Sequence, residues 1–262
     1  MNTFLNVVTS TFLLASPSLS LATESTQKAP SVVRVGAVEF PPYIHIESGG
    51  KVTGLLETLL NFMNKEQSQY IFQAIPISAM RRHGDFKNGD YNLSFFDNID
   101  WGWDKNTVDI SNVYMRGKEV YIAKRKPDRT DSYFNDLSGK SMIGILGYHY
   151  GFANYNADPA FLRKKYNMQL SNSNEGSIKM ILFDRGDIAV VSDIYLNSYL
   201  KKHPEDKAKL LISNKTDQQY SHTVIVRKNT HPTVQEINLL LNKFQQSKEF
   251  KEIISLNPNE AP

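Results

Sequence analysis

The sequence predicts an α/β protein, on three observations. Strand-like and helix-like apolar patterns alternate along most of the chain. Of its 262 residues 40% are hydrophobic, enough to bury one or two cores. Beyond the N-terminal segment no apolar run approaches the roughly 20 residues of a membrane span. There is no cysteine, hence no disulfide framework and no thiol for a lipid anchor. A formal net charge of +3 with dispersed Lys and Arg lends no support to nucleic-acid binding.

The first 22 residues carry no charged side chain, and Phe4 to Leu14 is mostly apolar. Ser16-Pro17 breaks the run, and Ser20-Leu21-Ala22 offers the small residues of a signal-peptidase site. Residues 1–22 are therefore expected to be a cleavable signal peptide, although its n-region lacks Lys and Arg. Export without an anchor fits a Gram-negative periplasm.

Val32 to Val38 reads as a buried strand ending at the turn Phe40-Pro41-Pro42-Tyr43. A second short run closed by Ser48-Gly49-Gly50 reads as a hairpin. Leu55, Leu56, Leu59, Leu60 and Met63 recur at helical spacing within Gly54 to Glu66. Tyr70 to Ile77 is predicted as a strand, Ala79 to Asn88 as a short helix, and Tyr91 to Phe96 as a strand. A second lobe is expected to begin near Met115-Arg116-Gly117, with strand Val120 to Ala123. After the turn Asp136 to Lys140 come strand Met142 to Leu146 and a helix from about Tyr150 to Tyr155. Helices are predicted at Ser177 to Phe183 and Ile194 to Lys201, and strands at Ile188 to Val191 and Thr223 to Arg227. The last helix carries Thr230 as its expected N-cap and Pro232 in its first turn. Val234, Ile237, Leu240, Leu241 and Phe244 form its apolar face.

Several of these pieces, in order, resemble the family 3 bacterial extracellular solute-binding proteins. They are Val33 to Gly36 with Phe40 to Tyr43, Gly54, Asn88 to Asn92, Val108 to Tyr114, Asp136 to Gly147, Arg185 to Val191, and Tyr220 to Phe250. The resemblance covers almost the whole mature chain. It implies the type II periplasmic binding fold: two α/β lobes joined by two hinge crossovers, lobe 2 inserted in lobe 1. The expected division is 31–116 and 221–256 for lobe 1 and 117–220 for lobe 2. It also implies a small polar ligand held in the interlobe cleft, an inner-membrane transporter as partner, and a monomer.

Carried over position by position, the resemblance nominates ligand-binding residues. Phe40 matches a ligand-stacking aromatic, or else packs only its own turn. Phe96 and Asp97 fall where relatives hold the ligand amine, with a solvated loop acid as the alternative for Asp97. The arginine that clamps an α-carboxylate in amino-acid binders falls here on Asp104, a reversed charge that would repel that group. The lobe 2 aspartate that pairs with the α-ammonium falls on Ser192, with Asp193 beside it. The ligand is thus expected not to be an ordinary α-amino acid held in the usual way, unless Arg81, Arg82 or Arg116 supplies a replacement cation. A polar amino-acid binder with a substituted clamp is the alternative. Trp101 and Trp103 are expected to line the cleft beside Asp97, Asp100 and Asp104, an aromatic and acidic wall suited to a cation or a sugar face. The tryptophans covering the edge of lobe 1 is the other reading. Tyr148 and His149 follow Gly147 where relatives present small hydroxyl residues.

No catalytic residue, metal site or cofactor is expected. The six histidines form no HExxH pattern, and there is no calcium loop, P-loop, GxGxxG or GxSxG. Two rival functions remain: a dehydratase of prephenate-like acids on the same fold, which would need cations and a positioned acid, and a ligand sensor for a signalling partner.

Overall fold

The computed structural model describes Met1, Thr3 and residues 29–262. The expected signal peptide lies, apart from Met1 and Thr3, outside the described residues. In lobe 1, β1 (Ser31–Ala37) pairs in parallel with β4 (Tyr70–Pro76) and β5 (Leu93–Asp97). Between β1 and β4 lie the hairpin β2 (His45–Ile46) and β3 (Val52–Thr53) and helix α1 (Leu55–Glu66). Leu56, Leu59, Leu60 and Met63 are the buried stripe of α1, as the spacing predicts. Helix α2 (Arg82–Asn88) precedes β5 and starts later than Ala79, because Ser78 to Arg81 closes a turn instead. It ends at Gly89, whose φ of 87° is the left-handed cap that glycine adopts without strain.

After β5 the chain makes the loop Asn98 to Thr107 and strand β6 (Val108–Ile110), then crosses over in β7 (Met115–Lys124). Lobe 2 holds β8 (Met142–Ile145), α3 (Pro159–Tyr166), β9 (Gln169–Ser171), α4 (Asn174–Leu182), β10 (Ile188–Ser192), α5 (Asp193–Lys202) and the short α6 (Pro204–Lys207). The return crossover is β11 (Leu210–Arg227), 18 residues long. Helices α7 (Val234–Gln246) and α8 (Lys248–Leu256) then pack on lobe 1.

The strand order β4-β1-β5-β11-β7-β10-β8-β9, with β6 also on β11, makes β7 and β11 the common spine of both lobes. They pair antiparallel from Leu210 opposite Lys124 to His222 opposite Met115, with register shifts between Ile212 and Gln218. Beyond His222, β11 enters the lobe 1 sheet against β5 and β6. The two crossovers expected from the resemblance are thus one hydrogen-bonded pair.

Lobe 2 buries both faces of its sheet, and neighbouring residues separate by parity. Met142, Ile188 and Val190 join the core under Tyr150 and Leu162; Ile143, Ala189 and Val191 join the one under Ile178 and Leu196. Lobe 1 has its own core, in which Val35, Leu59 and Phe95 meet Ile237 and Phe244 of α7. Among the described residues no helix is long and apolar enough to cross a membrane.

Three sequence expectations need correction. Thr233, not Thr230, caps α7: its side chain accepts from the Glu236 N–H while Glu236 accepts from the Thr233 N–H, a capping box that leaves Pro232 outside the helix. The helix expected over Tyr150 to Tyr155 is only a 3₁₀ turn, Gly151–Ala153, ended by left-handed Asn154. Tyr150 is pulled into the core, where the Ile145 N–H donates to its hydroxyl oxygen, and Asp217 accepts from the N–H groups of Gly151 and Phe152. The strand expected at Thr223 to Arg227 begins 13 residues earlier, at Leu210. Its first part, Ser213 to Ser221, is polar and lacks alternation, so only pairing with β7 makes it a strand.

Candidate functional site

A cavity of about 40 Å³ lies where the two lobes meet the spine. That volume is room for a few water molecules at most. Lobe 1 contributes Glu39 and Phe40 from the turn after β1, Arg82 from α2, and Ser94, Phe96, Asp97 and Trp101 from β5 and the loop after it. The opposite wall is Glu119 of β7 with Gly147, Tyr148 and His149 from the end of β8.

The end of β5 is bent to build this site. Phe96 has a φ of 53°, which a bulky side chain adopts only under compulsion. Its N–H donates to the Tyr114 hydroxyl at 2.7 Å, and the β5–β11 register shifts between Thr223 and Ile225. The bend turns the Asp97 carboxylate inward. Asp97 is 2% exposed and is engaged by Ser94 Oγ at 2.8 Å, Trp103 Nε1 at 2.8 Å and the Asn98 N–H at 2.9 Å. Arg82 Nη1 stands 3.7 Å from it.

Arg82 is itself 7% exposed. Its Nη2 donates to the Trp101 carbonyl at 3.1 Å and to His149 Nδ1 at 3.3 Å. Burial, Arg82 and His83 together hold His149 down at about 3, so the ring is neutral and accepts. Arg82 Nε has no partner among the described residues. Opposite, burial and the neighbouring Asp217 push Glu119 up to about 8, so a neutral carboxyl group faces the cavity at pH 7.

The lobes are bonded directly across this site. Tyr148 donates to the Glu39 carbonyl at 2.8 Å, and its ring meets Phe40 edge-on at 5.6 Å. Gln218 of β11 accepts from Trp101 Nε1 at 3.1 Å and donates to Glu119 and to the His149 carbonyl. Gly147 lets the backbones approach: a Cβ there would lie 2.7 Å from the Ala79 side chain, and its φ of 82° excludes other residues without strain.

Six of the ten residues nominated from the sequence line the cavity: Phe40, Phe96, Asp97, Trp101, Tyr148 and His149. Trp103, Asp104, Ser192 and Asp193 do not. Trp103 lies behind Asp97, its ring 5.0 Å from Phe86 and 4.8 Å from His83. Asp104 is exposed and accepts from the Asn106 backbone N–H, closing its own turn. Ser192 is fully buried, its N–H donating to Asn174, and Asp193 faces Lys118 at 3.5 Å. The acidic wall expected from Asp97, Asp100 and Asp104 is therefore not assembled, because Asp100 and Asp104 point to solvent and Asp97 is engaged by four partners.

Of the three cations named as replacements, Arg82 is the one in the cavity wall. Glu119 and Gln218 carry no motif in the sequence. The available signal is a single acid next to the apolar run Val120 to Ala123, which can be buried only against a partner. His203, Glu205 and Asp206 bring ligand atoms within 4.8 Å of one another, but Asp206 is already bonded to Tyr199 and Lys209.

Known structures share this architecture. One is a histidine-bound substrate-binding protein of an ABC uptake transporter from Streptococcus pneumoniae: 18% identity, 85% of this chain and 90% of that one, TM-score 0.67. A histidine kinase sensor domain with similarity to periplasmic binding proteins gives 14% identity over 89% and 99%, TM-score 0.68. An ancestral amino-acid-binding protein, a precursor of cyclohexadienyl dehydratase, gives 15% identity over 86% and 94%, TM-score 0.64. At such identities the likeness shows the fold: the two-lobed type II periplasmic binding fold. No family model and no curated protein matches the sequence.

Proposed function

We propose that this protein is an exported, monomeric solute-binding protein that captures a small polar ligand between its lobes and hands it to a membrane transporter. The observation that carries the proposal is the direct bonding of the lobes around one cavity, through Tyr148 to Glu39, Arg82 to His149 and Trp101 to Gln218. The cavity as it stands holds a few water molecules, so a ligand would enter with the lobes parted and take over the partners these groups now give one another, which shifts the hinge equilibrium. The proposed division is lobe 1 at 31–116 and 221–256 and lobe 2 at 117–220, with the signal peptide at 1–22.

The binding residues proposed are the six at the cavity together with Arg82 and Glu119. Arg82 lines the cavity and its buried Nε has no partner among the described residues, so a ligand with an acceptor group is the one this wall suits best. The ligand is not gripped through the usual pair of positions, which hold Asp104 and Ser192–Asp193. An ordinary α-amino acid held in the usual way is therefore disfavoured, and an amino acid gripped by Arg82 is the nearest alternative. The test is tryptophan fluorescence of the mature protein, titrated with amino acids, organic acids, sugars, polyamines, quaternary amines and short peptides. A saturable change that is lost in Arg82→Gln supports the reading; silence across the panel sinks it.

One observation favours a second reading. A buried cation, Arg82, and a carboxyl group raised to about 8, Glu119, share the cavity, which supplies the acid and one of the cations that a dehydratase of prephenate-like acids would require. Incubation with prephenate, followed by the ultraviolet absorbance of an aromatic product, decides it. Turnover that disappears in Glu119→Gln would make this an enzyme. Similarity to a kinase sensor domain leaves signalling as an alternative destination for the captured ligand.

A further inference from the structure

The segment after α8 occupies the side of the spine opposite the cavity. Neighbouring residues of a strand point to opposite faces, and both spine strands show it. Glu119 and Gln218 are bonded to each other on the cavity side. Their neighbours Lys118 and Gln219 line a groove of about 460 Å³ together with Asn259, with Gly117 and Tyr220 also bordering it. A second groove, of about 380 Å³, separates the same segment from α5 of lobe 2. Residues 257–260 thus stand between α8 of lobe 1, strand β7 and helix α5, in a trough along the back of the hinge.

The segment is anchored by a buried pair. Glu260, the last residue of the 3₁₀ turn Pro258–Glu260, is 3% exposed and accepts a hydrogen bond from the Tyr43 hydroxyl. Tyr43 is fully buried, and its ring lies 4.9 Å from Phe40 and 5.0 Å from Phe96, two residues of the cavity wall. Asp193 of α5 and Lys118 of β7 are the other charges near Glu260. One chain of contacts therefore runs from the cavity, through Tyr43, to the back of the hinge.

Rotation of the lobes about β7 and β11 that widens the front of the molecule must narrow the trough behind. We propose that residues 257–260, anchored through Glu260 to Tyr43, are a wedge behind the hinge that resists opening and biases the lobes toward closure. The inference rests on the reading that the lobes open and close, and it assigns a conformational role to a segment that touches no ligand.

The chain has no cysteine, so Lys87→Cys on α2 and Lys164→Cys on α3 can carry a spin-label pair reporting the interlobe distance. Both positions are exposed. In the full-length mature protein, Glu260→Ala is expected to add a longer-distance population that Glu260→Gln, which keeps an acceptor for Tyr43, does not. Pro258→Gly loosens the segment without touching the buried pair and is expected to shift the distribution in the same direction by less; it serves if Glu260→Ala does not fold. Folded Glu260→Ala and Pro258→Gly proteins with the parental distance overturn the wedge. If the parental distance does respond to solutes of the titration panel, that result leaves the hinge reading standing. A distance that never changes in any variant or with any solute removes both.

Discussion

Asp97 and Asp104 bracket one loop, carry the same charge, and live in opposite physical conditions. Asp97 closes a strand that is buried along its length and is surrounded by four donors. Asp104 sits in water and closes a local turn. The two tryptophans between them divide the same way: Trp101 reaches across to Gln218, and Trp103 braces Asp97 from behind. Residue type and loop position therefore say little about role here. What separates the two acids is the bend at Phe96, which aims Asp97 at Arg82, while Asp104 lies in an exposed turn.

The comparison can be broken most severely at its buried end. Asp97→Ala leaves Arg82 without its buried counter-charge and should cost about 3–5 kcal/mol, read from denaturant unfolding; a loss under 1 kcal/mol would show that the pair is not the support of the cleft. A pH series sharpens it next. Glu119, at about 8, and Glu260, at about 7, lie above their unfolded values, so the folded state holds protons that the unfolded chain has released. Stability should fall as pH rises from 6.5 to 8, by at most about 1.4 kcal/mol per pH unit for each group. His149 and His222, both held at about 3, act in the opposite direction only below about 6.5. Glu119→Gln should remove most of the fall above pH 7; an unchanged slope would reassign it.

A smaller effect separates the tryptophans. Trp101→Phe removes one interlobe hydrogen bond, worth about 1 kcal/mol, and should abolish the fluorescence response to ligand, whereas Trp103→Phe should keep it. The reverse result would exchange their places. At the exposed end, Asp104→Ala should leave the thermal midpoint within about 2 °C and ligand affinity unchanged. A tenfold loss of affinity would return the acid to the cleft.

Much of this was legible in the chain. The stripe of α1 and the apolar face of α7 follow from period 3.6, and strands β1 and β5 from short apolar runs bounded by turn residues. The start of α7 is ambiguous in the sequence because Thr230 and Thr233 both look like caps, and only Thr233 has Glu236 three residues on. Polar Ser213 to Ser221 carried no strand signal, since its pairing is with β7, about a hundred residues earlier. Within the candidate site, Phe40, Asp97 and Trp101 are found from their order along the chain. Glu119 and Gln218 are not, because Gln218 joins Glu119 across 99 residues of chain and Trp101 across 117.

By itself the sequence determined the alternation of strands and helices and which faces of them are apolar. These are local properties, written in spacing and residue type. The tertiary structure decided that Asp97 is paired with Arg82 in the cavity wall while Asp100 and Asp104 stay in solvent, that burial and Asp217 push Glu119 up to about 8, and that Glu260 is buried against Tyr43. Each depends on desolvation and on partners contributed by distant segments, and both exist only once the lobes have come together.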